Sequence, residues 1–429
     1  MAFAPRKGLR KHSGACVVTK TDLLFGEHVT QSGICSVCMR EGKCEIGRKA
    51  REGTPLYPEP FGIAQFGAEK ILPNIEDIQI IPELWGNGVW FNEVSTEVKI
   101  GGFKALAPIV STGLGSTKVA SDIGKIISAG CAAAGIPRVI GENVLVTFGE
   151  NGLKELIDAY KSAQRGYGAI IVQINANEHK LGLDEIAVRL GADAIEMKIG
   201  QGAKQGLGGE IQFDDPVAAE KYKKAGYHVV QRGKVFDRHA YPGDLSEDGL
   251  RKTLIQYANH GKPIWVKTGL GHGLLKLIEV LDKIKTEQGI PLNSLTIDGF
   301  GGGTGMSPWH IMNECSIPSG SVFSALGRRP KFDLLLAGGY SDGASIAKGI
   351  MLGADGIALG RSMIIAAFSN KETGIQNFVK ALRDEIQMIC ATQKVRSVTE
   401  LKNKRGNLFA LSTAAGKMFG LPTEPKNVL

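Results

Sequence analysis

Apolar stretches long enough to cross a bilayer are missing. The longest uncharged apolar run lies near Ser362–Ser369, far short of the about 20 residues that a spanning helix needs. No apolar stretch of signal-peptide length follows the basic N-terminal residues. A membrane partner is therefore not expected, and the sequence reads as cytoplasmic. Long runs of one charge are missing too. Lysine and arginine number 51 against 43 acidic residues, a formal net charge of +8. The densest basic stretch, Arg6-Lys7 to Arg10-Lys11-His12, has no aromatic residue interleaved with it, so no nucleic-acid partner is expected. Cysteine is scarce: seven residues, an odd number, which argues against a disulfide framework. The apolar share of 43% and the charged share of 22% exclude disorder.

Glycine is abundant instead. There are 57 among 429 residues, about twice the usual share of roughly 7%. They are not repetitive; they sit singly or in small clusters, each after an apolar run, as turns and ligand loops require.

Those runs have an order. Residues 1–60 hold Cys16, Cys35, Cys38 and Cys44 and few apolar stretches. From about Gly101, short apolar runs alternate with helical stretches. The runs are Leu106–Ser111, Arg138–Gly141, Ala169–Ile174, Ala194–Ile199, Pro263–Lys267, Ser294–Asp298, Phe332–Ala337 and Asp355–Leu359. Helical character fills Ser116–Ala134, Gly152–Arg165, Leu270–Thr286 and Ser341–Leu352. This is the pattern of βαβ units around a parallel sheet buried on both faces. Eight units in about 270 residues predict a (β/α)8 TIM barrel rather than an open doubly wound sheet. The expected organisation is a cysteine-rich region 1–60, a barrel 61–370 with its core at 101–370, and a C-terminal extension 371–429 read as a helix and a basic loop. One connection, from Ile199 to Pro263, exceeds 60 residues, and in a barrel it lies on the catalytic face.

The strand ends carry the chemistry. After the seventh and eighth strands come Gly338-Gly339-Tyr340-Ser341-Asp342-Gly343 and Gly360-Arg361-Ser362, each opening a helix. Backbone N–H groups freed by glycine, a helix N-terminus and an arginine fork form a phosphate signal. Lys198 and Lys267 close the fourth and fifth strands. A lysine is costly at a buried strand end unless paired, so two on one barrel face imply an anion between them. Cys35, Cys38 and Cys44 follow C-x-x-C-x-x-x-x-x-C spacing, with Cys16 as a fourth candidate ligand. That set suits an iron–sulfur cluster, a zinc ion, or free thiols. Cys131 falls in a helical stretch and reads as core; Cys315 falls in a loop.

The strings MKIGQGAKQGLGGE (197–210), GGGTGMSP (301–308) and AGGYSDGASIAKGIMLGADGIALGR (337–361) resemble the FMN-binding synthase domain of the glutamate synthase large subunit. APIVSTGLGS (107–116) and GEN (141–143) are similar to that domain's first strand and its Gly-Glu-Gly-Gly turn. The resemblance implies FMN across the barrel mouth. Ser111, Thr112 and Gly113 would lie beside the flavin ring, with Lys267 near its pyrimidine side. Asp298, Gly302, Gly303 and Thr304 would line the cofactor, the glycines sharing the phosphate with Gly338, Gly339, Gly360 and Arg361. Lys198, Gln201 and Lys204 would grip a 2-oxo acid, and Glu142 would relay a proton. In that family ammonia condenses with 2-oxoglutarate, and the imine takes a hydride from the flavin to give L-glutamate.

Several family features differ. No cysteine follows Met1, so glutamine hydrolysis by an N-terminal nucleophile is not expected; free ammonia, an amine or a separate glutaminase would supply nitrogen. The three-cysteine cluster motif that the family places after its barrel is reduced to Cys390, and the N-terminal cysteines would replace it in feeding electrons. Asp298-Gly299-Phe300 stands where the family has His-Asp-Gly. Alternatives are an N-methylglutamate synthase-like subunit, a flavin isopentenyl diphosphate isomerase-like barrel, a 2-hydroxy-acid oxidase, or a non-catalytic electron carrier. An oligomer with a separate electron-donor subunit is expected.

Overall fold

Each of the eight apolar runs forms a strand in a computed structural model, which describes residues 72–115, 118–202, 210–300, 311 and 315–424. The strands are β1 (Ile109–Leu114), β2 (Arg138–Ile140), β3 (Ile170–Ile174), β4 (Ala194–Lys198), β5 (Ile264–Gly269), β6 (Leu292–Asp298), β7 (Asp333–Ala337) and β8 (Gly356–Leu359). All pair in parallel, and β8 closes on β1. The expected TIM barrel is the observed fold.

Alternation along the strands builds two cores. Ile109, Ile140, Ile170, Ile195, Leu295 and Ile357 point outward into the helix layer. Val110, Val139, Ile171, Ala194, Trp265, Leu335 and Ala358 point inward. A hairpin formed by Val98–Ile100 and Phe103–Ala105 plugs the N-terminal end. Its turn Gly101 has φ +54, and a Cβ there would lie 2.3 Å from the Trp265 indole. Glycine lets that indole reach the turn, where Nε1 donates to the Gly101 carbonyl at 3.0 Å. The hairpin and the Trp265 indole thus fill the lower barrel, and the C-terminal mouth is the face left to a ligand among the described residues.

Two parts of the chain differ from expectation. The long connection after β4 is not a bare loop. It carries a three-stranded antiparallel sheet (Glu210–Phe213, His228–Arg232, Val235–His239) and a helix Pro216–Lys224, before the barrel helix Glu247–Ala258. The barrel's last helix, Arg361–Thr392, breaks at Asn370 and Lys371, whose backbone is non-helical, and resumes beyond them. The expected basic loop beyond it is a 3-10 segment Val398–Asn407, a strand Leu408–Ala410 and a helix Thr413–Phe419. That strand pairs with Ile78–Ile80, and Leu401, Leu408 and Phe419 join the outer core. Apolar contact decides this, because those side chains cover helix surface that would otherwise face water. Among the described residues no helix is long and apolar enough to cross a membrane.

Candidate active site

The inward positions change character near the mouth. Above the apolar layer stand Thr112, Gln173, Glu196, Lys198, Lys267 and Asp298, each continuing the inward side of its strand by the two-residue period. Lys267 lies 3.0 Å from Asp298 Oδ2 and donates to Thr112 Oγ1 at 3.0 Å. Burial lowers its pKa, but Asp298 and Glu196 outweigh that and leave it above the ordinary lysine value; it stays charged. Lys198 pairs with Glu142 and donates to Gln201 Oε1 at 2.5 Å. Beneath both, Gln173 Nε2 donates to the buried Glu196 carboxylate at 2.5 Å. Burial pushes the Glu196 carboxyl up, and Lys267, Gln173 and Lys198 pull it back.

This arrangement corrects one expectation. The two lysines do not require a bound anion between them, because Glu142 and Asp298 neutralise them from within the chain. The expected phosphate-binding residues lie elsewhere on the mouth.

Their location is the end of β7 and β8. Gly338 and Gly339 have φ of +92 and +87, a conformation open to glycine. Gly360 caps the helix Arg361–Thr392, whose N-terminus opens at the end of β8, the end of a helix that favours an anion. Burial lowers the Arg361 pKa, as for a guanidinium drawn partly out of water. The helix after β7 is different from expectation. Asp342 accepts from Ser345 N at 2.7 Å, and Glu385 accepts from Gly343 N at 2.5 Å, so that N-terminus is filled by carboxylates and offers no phosphate site. Asp298 Oδ1 is buried with no hydrogen-bond partner among the described residues, an acceptor available to a donor in the mouth. These features fit a phosphate-bearing cofactor with hydrogen-bond donors on its ring system.

Other expected residues fall differently. Ser111 is on the outward side of β1, its hydroxyl turned to the Cys131 thiol, which burial pushes up to about 11; only the Ser111 backbone could meet a ligand in the mouth. Gly113 faces Gln173, whose amide would sit 2.9 Å from a Cβ there. Several glycines serve loop-on-loop contact rather than a ligand. A Cβ on Gly202 would lie 2.1 Å from the Gly299 carbonyl, and one on Gly115 would lie 2.5 Å from the Glu142 carbonyl. Lys204, Gly302, Gly303 and Thr304 lie outside the described residues, as do Cys16, Cys35, Cys38 and Cys44. Cys131 and Cys390 are buried free thiols and Cys315 an exposed one. Among the described residues no group of three His, Cys, Asp or Glu is placed to hold a metal.

Sequence reasoning missed Gln173 and Glu196, which look like interruptions in apolar strands. The signal was a polar residue on the inward side of a strand close to its end, Glu196 two residues before Lys198 and Gln173 two before Asn175. It also missed Asn143, Asn175, Glu178 and Tyr227, joined by buried hydrogen bonds across loops far apart in sequence.

Comparison with known proteins agrees with the barrel. The archaeal glutamate synthase [NADPH] of Archaeoglobus fulgidus is 28% identical over 232 residues, 52% of this chain and 42% of that protein. The glutamate synthase large subunit-like protein of Rhizobium meliloti is 31% identical over 192 residues, 42% of this chain and 40% of that one. The chain thus spans less than half the length of these relatives. A mandelate oxidase structure with a C4a-OH-FMN adduct matches 77% of this chain and 87% of its own at TM-score 0.52 and 15% identity, which is a likeness of fold. A model of the conserved region in glutamate synthase matches residues 131–370, more than half of the chain and the barrel from before β2 to beyond β8; the protein belongs to the glutamate synthase family.

Proposed function

We propose that this chain is an FMN-dependent oxidoreductase that converts a 2-oxo acid and ammonia, or an amine, to an amino acid, with 2-oxoglutarate as the first candidate acid. The observation that carries the reading is the pairing of Lys198 with Glu142 and Gln201 at the mouth, above the buried Lys267–Asp298 pair, in a chain of this family. Gly338, Gly339, Gly360 and Arg361 would hold the cofactor phosphate, and Thr112, Lys267 and Asp298 would face its ring system. When bound, FMN supplies a two-electron hydride.

The chain's own residues supply the rest. Lys198 is a cation for an acid's carboxylate or carbonyl oxygen, and Gln201 fixes its direction. Glu142 pairs with Lys198 and would relay a proton as amine condenses and water leaves. Lys267 stays charged in a buried layer and favours negative charge developing above it. Lys204 would add a second grip on the acid. A separate glutaminase and an electron donor would complete the pathway of nitrogen and electrons, with the N-terminal cysteines as a candidate iron–sulfur or zinc site.

The test begins with anaerobic purification and an absorption spectrum. Flavin reduced with dithionite is then mixed with 2-oxoglutarate and ammonium, and with methylamine. Flavin reoxidation with stoichiometric glutamate or N-methylglutamate is expected. Failure to bind FMN, or reoxidation by none of a panel of 2-oxo acids with either amine, rejects the reading.

A further inference from the structure

Asn143 follows Glu142 in the turn after β2 with φ 70 and ψ 3. Residues with a side chain seldom occupy this left-handed region, though Asn tolerates it better than most. Such a conformation persists where its surroundings over-determine it, and here they do. The Asn143 N–H donates to Glu178 Oε1 at 2.7 Å. Its Oδ1 accepts from Tyr227 Oη at 2.6 Å and from Asn175 Nδ2 at 3.1 Å. All four residues are buried.

Three of them belong to the barrel's own turns after β2 and β3. Tyr227 does not. It comes from the unit inserted between β4 and β5, just before the strand His228–Arg232. The unit has a small core of its own, in which the Arg238 guanidinium lies 4.6 Å and 4.9 Å from the ring centres of Tyr222 and Tyr227. Several hydrogen bonds tie it to the barrel, among them Asn177 Nδ2 donating to the Gly226 carbonyl at 3.0 Å and Lys221 Nζ donating to the Thr147 carbonyl at 2.9 Å. Tyr222 Oη meets Thr147 Oγ1 at 2.9 Å, one turn along the helix Val144–Ala163. Tyr227 meets Asn143, the immediate neighbour of the carboxylate that pairs with Lys198.

We propose that Tyr227 and Asn143 are positioning residues through which the inserted unit sets the Glu142 carboxylate on Lys198. The Tyr227 hydroxyl holds Asn143 left-handed, and that backbone geometry aims Glu142 into the mouth. The consequence for catalysis rests on the function proposed above; the coupling itself does not.

Acetylation of Lys198 by acetic anhydride at fixed pH, read by peptide mass spectrometry with Lys161 as internal reference, tests the coupling in the full chain without turnover. Glu142→Gln is expected to raise Lys198 labelling at least fivefold by removing the paired carboxylate. Tyr227→Phe and Asn143→Ala should each raise it at least threefold, since one removes the anchoring hydroxyl and the other removes its acceptor at a position where a Cβ disfavours the left-handed backbone. Thr147→Val, which removes the Tyr222 hydroxyl's contact with the barrel, should leave it within experimental error of the parent chain. Parent-level labelling in either Tyr227→Phe or Asn143→Ala overturns the proposal, and so does parent-level labelling in Glu142→Gln. A rise shared by Thr147→Val or by buried Lys267 signals general loosening and overturns it too. Should the chain fail to aminate any 2-oxo acid, the labelling result still stands. Should it be active, Tyr227→Phe is expected to raise the KM for the acid several-fold while the rate of flavin reduction by dithionite is unchanged.

Discussion

Lys198 and Lys267 stand directly opposite each other on neighbouring strands, yet each is neutralised from a different direction. Glu142, in the turn after β2, takes Lys198; Asp298, at the end of β6, takes Lys267. Like charges facing across a strand pair repel. Carboxylates from two different parts of the barrel offset that repulsion.

The Lys267–Asp298 pair gives the first prediction. Lys267→Ala strands a buried carboxylate, and breaking a buried pair in this way costs roughly 3–5 kcal/mol. A lower Tm is expected. Lys267→Met combined with Asp298→Asn removes both charges and should recover most of that loss. Flavin reduction should remain impaired in both variants, more than flavin binding, as measured by reductive titration alongside FMN affinity. Equal loss of binding and reduction would contradict the role given to Lys267.

The phosphate assignment separates two ligands. Arg361→Ala should weaken FMN binding by ten-fold or more and leave riboflavin binding nearly unchanged, because only FMN carries the phosphate. Gly338→Ala should weaken FMN binding as well. A side chain at φ +92 is strained by about 1–2 kcal/mol, and its Cβ would lie 2.7 Å from the Gly299 carbonyl. Fluorescence titration with both flavins reads the difference.

Glu178 makes stability depend on pH. Burial pushes its carboxyl up to about 8, above the ordinary carboxylate value of about 4.5. In the unfolded chain the group ionises near that ordinary value, while in the fold it holds its proton. Its contribution is therefore fully present below about 4.5 and is lost as pH rises through about 8. Glu178→Gln cannot ionise. The difference in Tm between the parent chain and this variant should shift against the parent chain from pH 5 to pH 8, by an amount on the order of a few kcal/mol in stability. A constant difference across that range would contradict the raised pKa.

The N-terminal cysteines yield a spectroscopic prediction. If Cys35, Cys38 and Cys44 hold an iron–sulfur cluster, the anaerobic protein shows a broad absorbance beyond the flavin bands that dithionite bleaches. Cys38→Ser abolishes it without displacing FMN. Stoichiometric zinc with no such absorbance would exclude electron transfer through these thiols.

The sequence by itself determined the architecture. Eight short apolar runs separated by helical stretches have one economical closure, and every run formed a barrel strand, because a parallel strand buried on both faces must be continuously apolar. It also located the mouth, since Lys198, Lys267 and Asp298 stand at strand ends, where a charge has to meet a partner or a ligand.

What the sequence could not contain was the pairing. Glu142 is 56 residues from Lys198, and Tyr227 is 84 from Asn143; only closure of the barrel and folding of the inserted unit bring them together. Ser111 and Thr112 are neighbours in sequence, but the strand pleat sends one to the helix layer and the other to Lys267. The helix after β7 carries the residues of an anion site, and only packing against Glu385 shows that a carboxylate already fills it. Strand and helix identity are local consequences of apolar periodicity. The balance of charge in the mouth is a long-range one, fixed by which turns the closed barrel sets side by side.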